Sequence, residues 1–122
     1  MESAAEAGLS LLRLLPDFVT RAAVPDDIDA VTSIDFEREV DPAEVGVDAD
    51  RLDRAWEATR ALYRSGVHPA ISICVRRHGR IVLNRALGHL SGNGPGHCNG
   101  EALVRATYET PFNIFSGSKA IT

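Results

Sequence analysis

The stretch AISICVRRHGRIVLNRALG, residues 70–88, decides the fold. Ile71, Ile73 and Val75 alternate with Ser72, Cys74 and Arg76. That is the period of a half-buried strand, because successive side chains point to opposite faces. His78 and Gly79 interrupt the pattern as a two-residue turn, where glycine accepts the positive φ that hairpins require. Residues 81–87 return as a second strand. The stretch therefore predicts an antiparallel hairpin. Arg76, Arg77 and Arg80 form its solvated tip, His78 is a turn residue, and Cys74 is a small buried hydrophobe.

Upstream, GVDADRLDRAWEATRALYRSG (46–66) predicts a helix. Asp48 or Asp50 can cap its free N–H groups. Leu52, Ala55, Trp56, Thr59, Leu62 and Tyr63 recur at helical spacing, and Gly66 supplies a left-handed stop. Trp56 reads as a core anchor. Downstream, Gly88, Gly92, Gly94, Gly96 and Gly100 with Pro95 make 88–100 a loop, and loops of that length are mobile or functional. His89, His97 and Cys98 match no zinc spacing, so no metal is expected. The expected fold is α+β, a sheet flanked by helices.

Residues 1–45 read as an acidic extension with one helix over 3–15. Leu11, Leu12, Leu15 and Phe18 form an apolar stripe on it, and Pro16 ends or bends it. A short extended piece is expected around 34–40. The second unit, 46–122, carries the helix and the hairpin.

The 122 residues hold two cysteines, too few for a disulfide scaffold, and a net charge of -4. That charge is unevenly spread. Residues 1–60 carry 15 acids and 6 arginines, whereas 61–122 carry 2 acids, 6 arginines and Lys119. An acidic front half and a basic tip without interleaved aromatics predict no nucleic-acid partner. LSLLRLL, residues 9–15, is too short and too interrupted by Arg13 for a signal peptide or a membrane span. A soluble, cytoplasmic protein is expected, with no cofactor. The oligomeric state is left open.

The segment ETPFNIFSGSKAIT, residues 109–122, holds the single lysine, three residues after Ser116. On a helix, positions i and i+3 share a face. A serine hydroxyl becomes a nucleophile when a neighbouring base takes its proton. A lysine serves as that base when neutral, a state favoured by burial and by a helix N-terminus. Phe112, Ile114, Phe115, Ala120 and Ile121 are expected to give apolar surroundings, and helix N–H groups can stabilise an oxyanion. The competing reading is a polar helix terminus with a solvated lysine. A phosphate-binding turn is disfavoured, because the P-loop spacing is absent.

Residues 46–122 resemble the serine β-lactamase/penicillin-binding-protein superfamily, in its class C-like branch with the family VIII esterases. GVDADRLDRAW, then HPAISICVRRHGRIVLNRALG, then ETPFNIFSGSKAIT follow the order of its opening, with Phe112, Ser116, Ser118, Lys119 and Thr122 in register. The resemblance implies a β-lactamase-like fold, truncated here at the start of its nucleophile helix. It implies Ser116 as the acylated nucleophile and Lys119 as its base or proton relay. The partner would be a small-molecule ester or amide. Esterase activity is favoured, with β-lactamase, transpeptidase or D-amino peptidase activity as alternatives. The family's Tyr-x-Asn or Ser-x-Asn motif and its Lys/His-x-Gly strand would lie beyond Thr122, so the chain by itself is expected to be inactive. Phe115 departs from the family, which often has a small residue before the nucleophile. The alternative is a non-catalytic truncated or pseudoenzyme module that binds a partner through its acidic front half.

Overall fold

Asp48 starts the helix. Its carboxylate accepts a 3.0 Å hydrogen bond from the Arg51 backbone N–H, which satisfies one of the free donors of the first turn. In the computed structural model, which describes residues 20–95 and 102–120, helix α1 runs Ala49–Arg64. Gly66, at φ 72, turns the chain away from it. Leu52, Trp56 and Tyr63 of the predicted stripe are buried. Ala55 is exposed and Leu62 is 39% exposed. The buried stripe is narrow because α1 packs against one layer, the sheet.

That sheet is antiparallel throughout. Strand β1 is Thr32–Ile34, β2 is Ala70–Arg77, β3 is Arg80–Ser91 and β4 is Val104–Arg105. The order is β1-β3-β2, and β4 pairs with the far end of β3. Central β3 is covered on both faces, so Ile81, Val82, Leu83, Asn84, Ala86 and Leu87 are all buried. Its predicted partner β2 alternates half-buried Ile71, Ile73 and Val75 with exposed Ser72 and Cys74. His78 at φ 50 and Gly79 at φ 76 join the two strands. Both residues are left-handed, as a type I′ hairpin turn requires, and its twist matches that of the strands.

The architecture is an open antiparallel sheet with a helix, an α+β fold. Ile28, Val31, Val45, Leu52, Trp56, Tyr63, Val82, Leu83 and Leu87 form the core cluster. Three of these precede residue 46, so the front segment contributes both apolar side chains and strand β1 to this core. The extended piece expected around 34–40 is corrected: strand β1 ends at Ile34, and 36–38 turn instead, closed by the Glu39 N–H on the Asp35 carbonyl at 3.1 Å and the Arg38 N–H on the Asp35 carboxylate at 3.2 Å. Asp41 caps the 3-10 turn Pro42–Val45 through the Ala43 N–H at 2.9 Å. The predicted helix over 3–15 lies outside the described residues, as do His97 and Cys98.

Two further local expectations are corrected. Cys74 is exposed, not buried: it points to the face of β2 opposite Ile73 and Val75, and β2 is an edge strand with β3 as its one partner among the described residues. The loop expected from residue 88 begins later, because β3 continues to Ser91. His89 and Ser91 pair there with Arg105 and Val104. The hairpin tip is also tethered, since Arg80 meets Glu44 at 2.9 Å. Among the described residues no helix is long and apolar enough to cross a membrane.

Candidate functional site

The segment that carries the serine and lysine is anchored before it reaches them. The Thr107 backbone N–H donates to Thr110 Oγ1 at 2.9 Å, and the Thr110 N–H donates to the Thr107 carbonyl at 3.0 Å. This closes a turn around Tyr108 and Glu109. The Arg38 guanidinium stands over the Tyr108 ring at 5.7 Å and reaches Glu109 at 3.7 Å. The Tyr108 N–H points to Ser33 Oγ on β1 at 3.4 Å. Ser33, Ala86 and Ser72 form one row across the sheet. The chain therefore leaves β1 along this row, over the face opposite α1, toward the outer edge of β2.

At that edge lies an open groove of about 560 Å³. Leu62, Ile71, Phe112 and Ile114 give it apolar walls. His68, Ser72, Cys74 and Asn113 add polar groups and a thiol. Leu62 belongs to α1 and Cys74 to the opposite face, so the groove wraps around the strand edge. Phe112 is 37% and Ile114 53% exposed.

Beyond Ile114 the chain forms a 3-10 helix, Phe115–Ala120. The Phe115 N–H donates to Asn113 Oδ1 at 3.0 Å, and the Gly117 N–H to the Ile114 carbonyl at 2.8 Å. Ser118 Oγ donates back to the Phe115 carbonyl at 2.7 Å. Phe115 has φ 45, a left-handed conformation that costs a bulky residue energy. A 3-10 helix has three residues per turn, so side chains at i and i+3 eclipse. Ser116 and Lys119 occupy positions i and i+3 of this helix.

Their surroundings differ from the expectation. The helix is 3-10, and none of its residues is buried. Phe115, expected to give apolar cover, is 79% exposed. Ile121 lies outside the described residues. No group of three His, Cys, Asp or Glu side chains able to hold a metal occurs among the described residues.

The sequence reading missed a polar cluster around Arg38, the residue that also holds Tyr108 and Glu109. Asp35 is 1% exposed. It accepts from Asn84 Nδ2 at 2.7 Å, Arg38 Nε at 2.6 Å and the Arg38 backbone N–H at 3.2 Å. Burial by itself raises the pKa of this carboxyl. The hydrogen bonds from Asn84 and Arg38, with the Arg38 charge, outweigh burial and hold it below its ordinary value. Next to it, Glu39 accepts both Arg85 Nε and Nη2 at 2.9 Å, a bidentate pair, and the Asn84 N–H at 2.8 Å. Arg85 also lies over Trp56 at 5.0 Å. The one sequence signal was Asn84, a polar residue inside the apolar run of β3.

Comparison with known proteins finds no matching family model, no matching curated protein and no matching solved structure.

Proposed function

We propose that this chain carries the nucleophile turn of a serine hydrolase related to the β-lactamases and family VIII esterases. The observation that carries this reading is the i, i+3 spacing of Ser116 and Lys119 within a 3-10 helix, directly after groove-lining Ile114. The order of helix, hairpin and Ser-x-x-Lys turn supports it. In the reaction, Ser116 Oγ attacks the carbonyl carbon of an ester as the Lys119 amine takes the hydroxyl proton. Collapse of the tetrahedral intermediate breaks the carbon–oxygen bond, and the departing alkoxide takes that proton from Lys119. Water then attacks the acyl-enzyme, the amine accepts its proton, and Ser116 is restored with release of the acid.

The test is labelling of the protein as its own cells make it with a fluorophosphonate probe. Modification at Ser116, abolished in Ser116→Ala, supports the reading. Labelling that persists in the alanine variant overturns it.

A non-catalytic binding module is the second reading. Phe36, Leu103 and Phe115 favour it, being 82%, 60% and 79% exposed, as exposed apolar side chains mark binding surfaces. Ester turnover by the purified chain that is lost in Lys119→Ala would refute it.

A further inference from the structure

The 3-10 helix that carries Ser116 and Lys119 shapes itself through local bonds. The Phe115 N–H donates to Asn113 Oδ1 at 3.0 Å, and the Gly117 N–H to the Ile114 carbonyl at 2.8 Å. Bonds between near neighbours shape a turn wherever it sits. Its place on the molecule follows from the points upstream at which the segment is fastened. The Ala106 N–H donates to the Gly88 carbonyl at 2.9 Å. Around it the fastenings reach the stretch 32–38. Arg105 Nη2 donates to the Thr32 carbonyl, the Tyr108 N–H points to Ser33 Oγ at 3.4 Å, and the Arg38 guanidinium meets both Tyr108 and Glu109.

Arg38 stands between two anchors. Its Nε donates to Asp35 Oδ2 at 2.6 Å. Asp35 is buried and also accepts from Asn84 of central β3. On its other side the guanidinium lies 5.7 Å from the Tyr108 ring centre and 3.7 Å from Glu109. An exposed arginine–glutamate pair at that distance contributes little by itself, because water screens it and two long side chains must be ordered. Here the arginine is ordered already, since its bond to a buried carboxylate holds the guanidinium. A planar cation held within about 6 Å of a ring is attracted to its face. Arg38 thus carries the rigidity of the Asp35–Asn84 pair across to residues 107–110. Thr107 and Thr110 close that turn on itself, so a grip on Tyr108 and Glu109 holds all of it.

We propose that Arg38 is a positioning residue for the Ser116 turn. It acts through Tyr108 and Glu109, which it fastens to the sheet, and so sets the path of residues 111–115 into Ser116. The front segment is then part of the site, not an extension beside it. The tether itself is independent of the chemistry at Ser116, and its effect on acylation rests on the hydrolase reading.

The test begins with amide hydrogen exchange of the full 122-residue chain, read by mass spectrometry. It compares the parent, Tyr108→Leu with Glu109→Gln, Arg38→Ala, and all three changes together. The Tyr108 and Glu109 changes leave every bond to Asp35 in place, so they test the tether even if Arg38→Ala unfolds the chain. Exchange over 107–114 is expected to be about tenfold faster in each variant, with the β2 and β3 amides unchanged. The triple variant is expected to exchange no faster than Arg38→Ala, because the same tether is removed each time. Unchanged exchange over 107–114 in the double variant overturns the proposal. Effects that add in the triple variant also overturn it, since Arg38 then acts elsewhere. The second readout is the rate of fluorophosphonate labelling at Ser116 in the protein as its own cells make it. The double variant is expected to label about tenfold more slowly than the parent, as a misplaced nucleophile does. Faster exchange with an unchanged labelling rate overturns the positioning role and leaves the hydrolase reading standing. No labelling in the parent overturns the hydrolase reading. Exchange over 115–120 in the double variant then decides the positioning role: faster exchange supports it and unchanged exchange overturns it.

Discussion

Asn84 Nδ2 donates a 2.7 Å hydrogen bond to Asp35 Oδ2, across 49 residues of sequence. The pair joins central β3 to the segment just after β1, and Asp35 is buried at this point. Two more bonds, from the Arg38 side chain and backbone, fix the carboxylate. A buried acceptor with three donors is a pin, and the fold relies on its ionised form.

Acid is therefore expected to loosen the fold through Asp35. Its folded pKa is depressed, so its contribution is present above the unfolded value of about 3.9 and is lost as pH falls through the folded value. Urea midpoints between pH 7 and pH 2 check this. Asp35→Asn is expected to lower stability at pH 7 and to flatten the acid limb. An acid limb of unchanged slope in that variant would rule the assignment out.

Tyr63 governs the opposite end of the pH range. It is fully buried, its hydroxyl has no hydrogen-bond partner among the described residues, and burial raises its pKa. A raised folded pKa means stability that holds below the unfolded value of about 10 and falls as pH rises past it. Tyr63→Phe is expected to remove that alkaline loss. It should cost less than about 1 kcal/mol at pH 7, since no hydrogen bond is broken. Urea unfolding at pH 7 and above pH 10 separates the two effects.

Gly88→Ala is expected to be severe. Gly88 has φ 91, and an added Cβ would collide with the Pro69 carbonyl and come 2.7 Å from Tyr63 Cε2. Neither neighbour can retreat, because Pro69 O also accepts from the His89 N–H at 3.0 Å and from Asn93 Nδ2 at 2.9 Å. A loss of about 3 kcal/mol is expected, read from the urea midpoint. A loss below about 1 kcal/mol would mean that the turn into β2 yields more than this packing allows.

The hairpin turn offers the reverse experiment. His78 is left-handed at φ 50, which asparagine tolerates better and valine worse. His78→Asn should raise stability by about 0.5 kcal/mol and His78→Val should lower it by about 1 kcal/mol. Thermal midpoints give the order, and a valine variant as stable as the parent would contradict the type I′ assignment.

For the proposed chemistry, Lys119→Arg is the informative variant. Arginine keeps the charge and length of lysine but stays protonated. Fluorophosphonate labelling of Ser116 is expected to slow about a hundredfold, the lower range for loss of a general base. An unchanged rate would remove Lys119 from the mechanism.

Local pattern made much of this fold legible. The Ile71-Ile73-Val75 alternation, the His78-Gly79 turn and the Asp48-capped helix depend on near neighbours, and each formed where its residues predict it. The spacing of Ser116 and Lys119 is local in the same sense, because i and i+3 fall within one tight helical turn. Partners distant in sequence were hidden. Nothing near residue 35 announces Asn84, and nothing near Cys74 states that β2 is an edge strand with that side chain outward. The exposure of the Ser116 turn, the groove beside it and the joining of β1 to the hairpin likewise depend on which surfaces meet. Period and capping act over a few residues and are written in the chain. Burial is a relation between segments tens of residues apart, and the assembled sheet alone determined it.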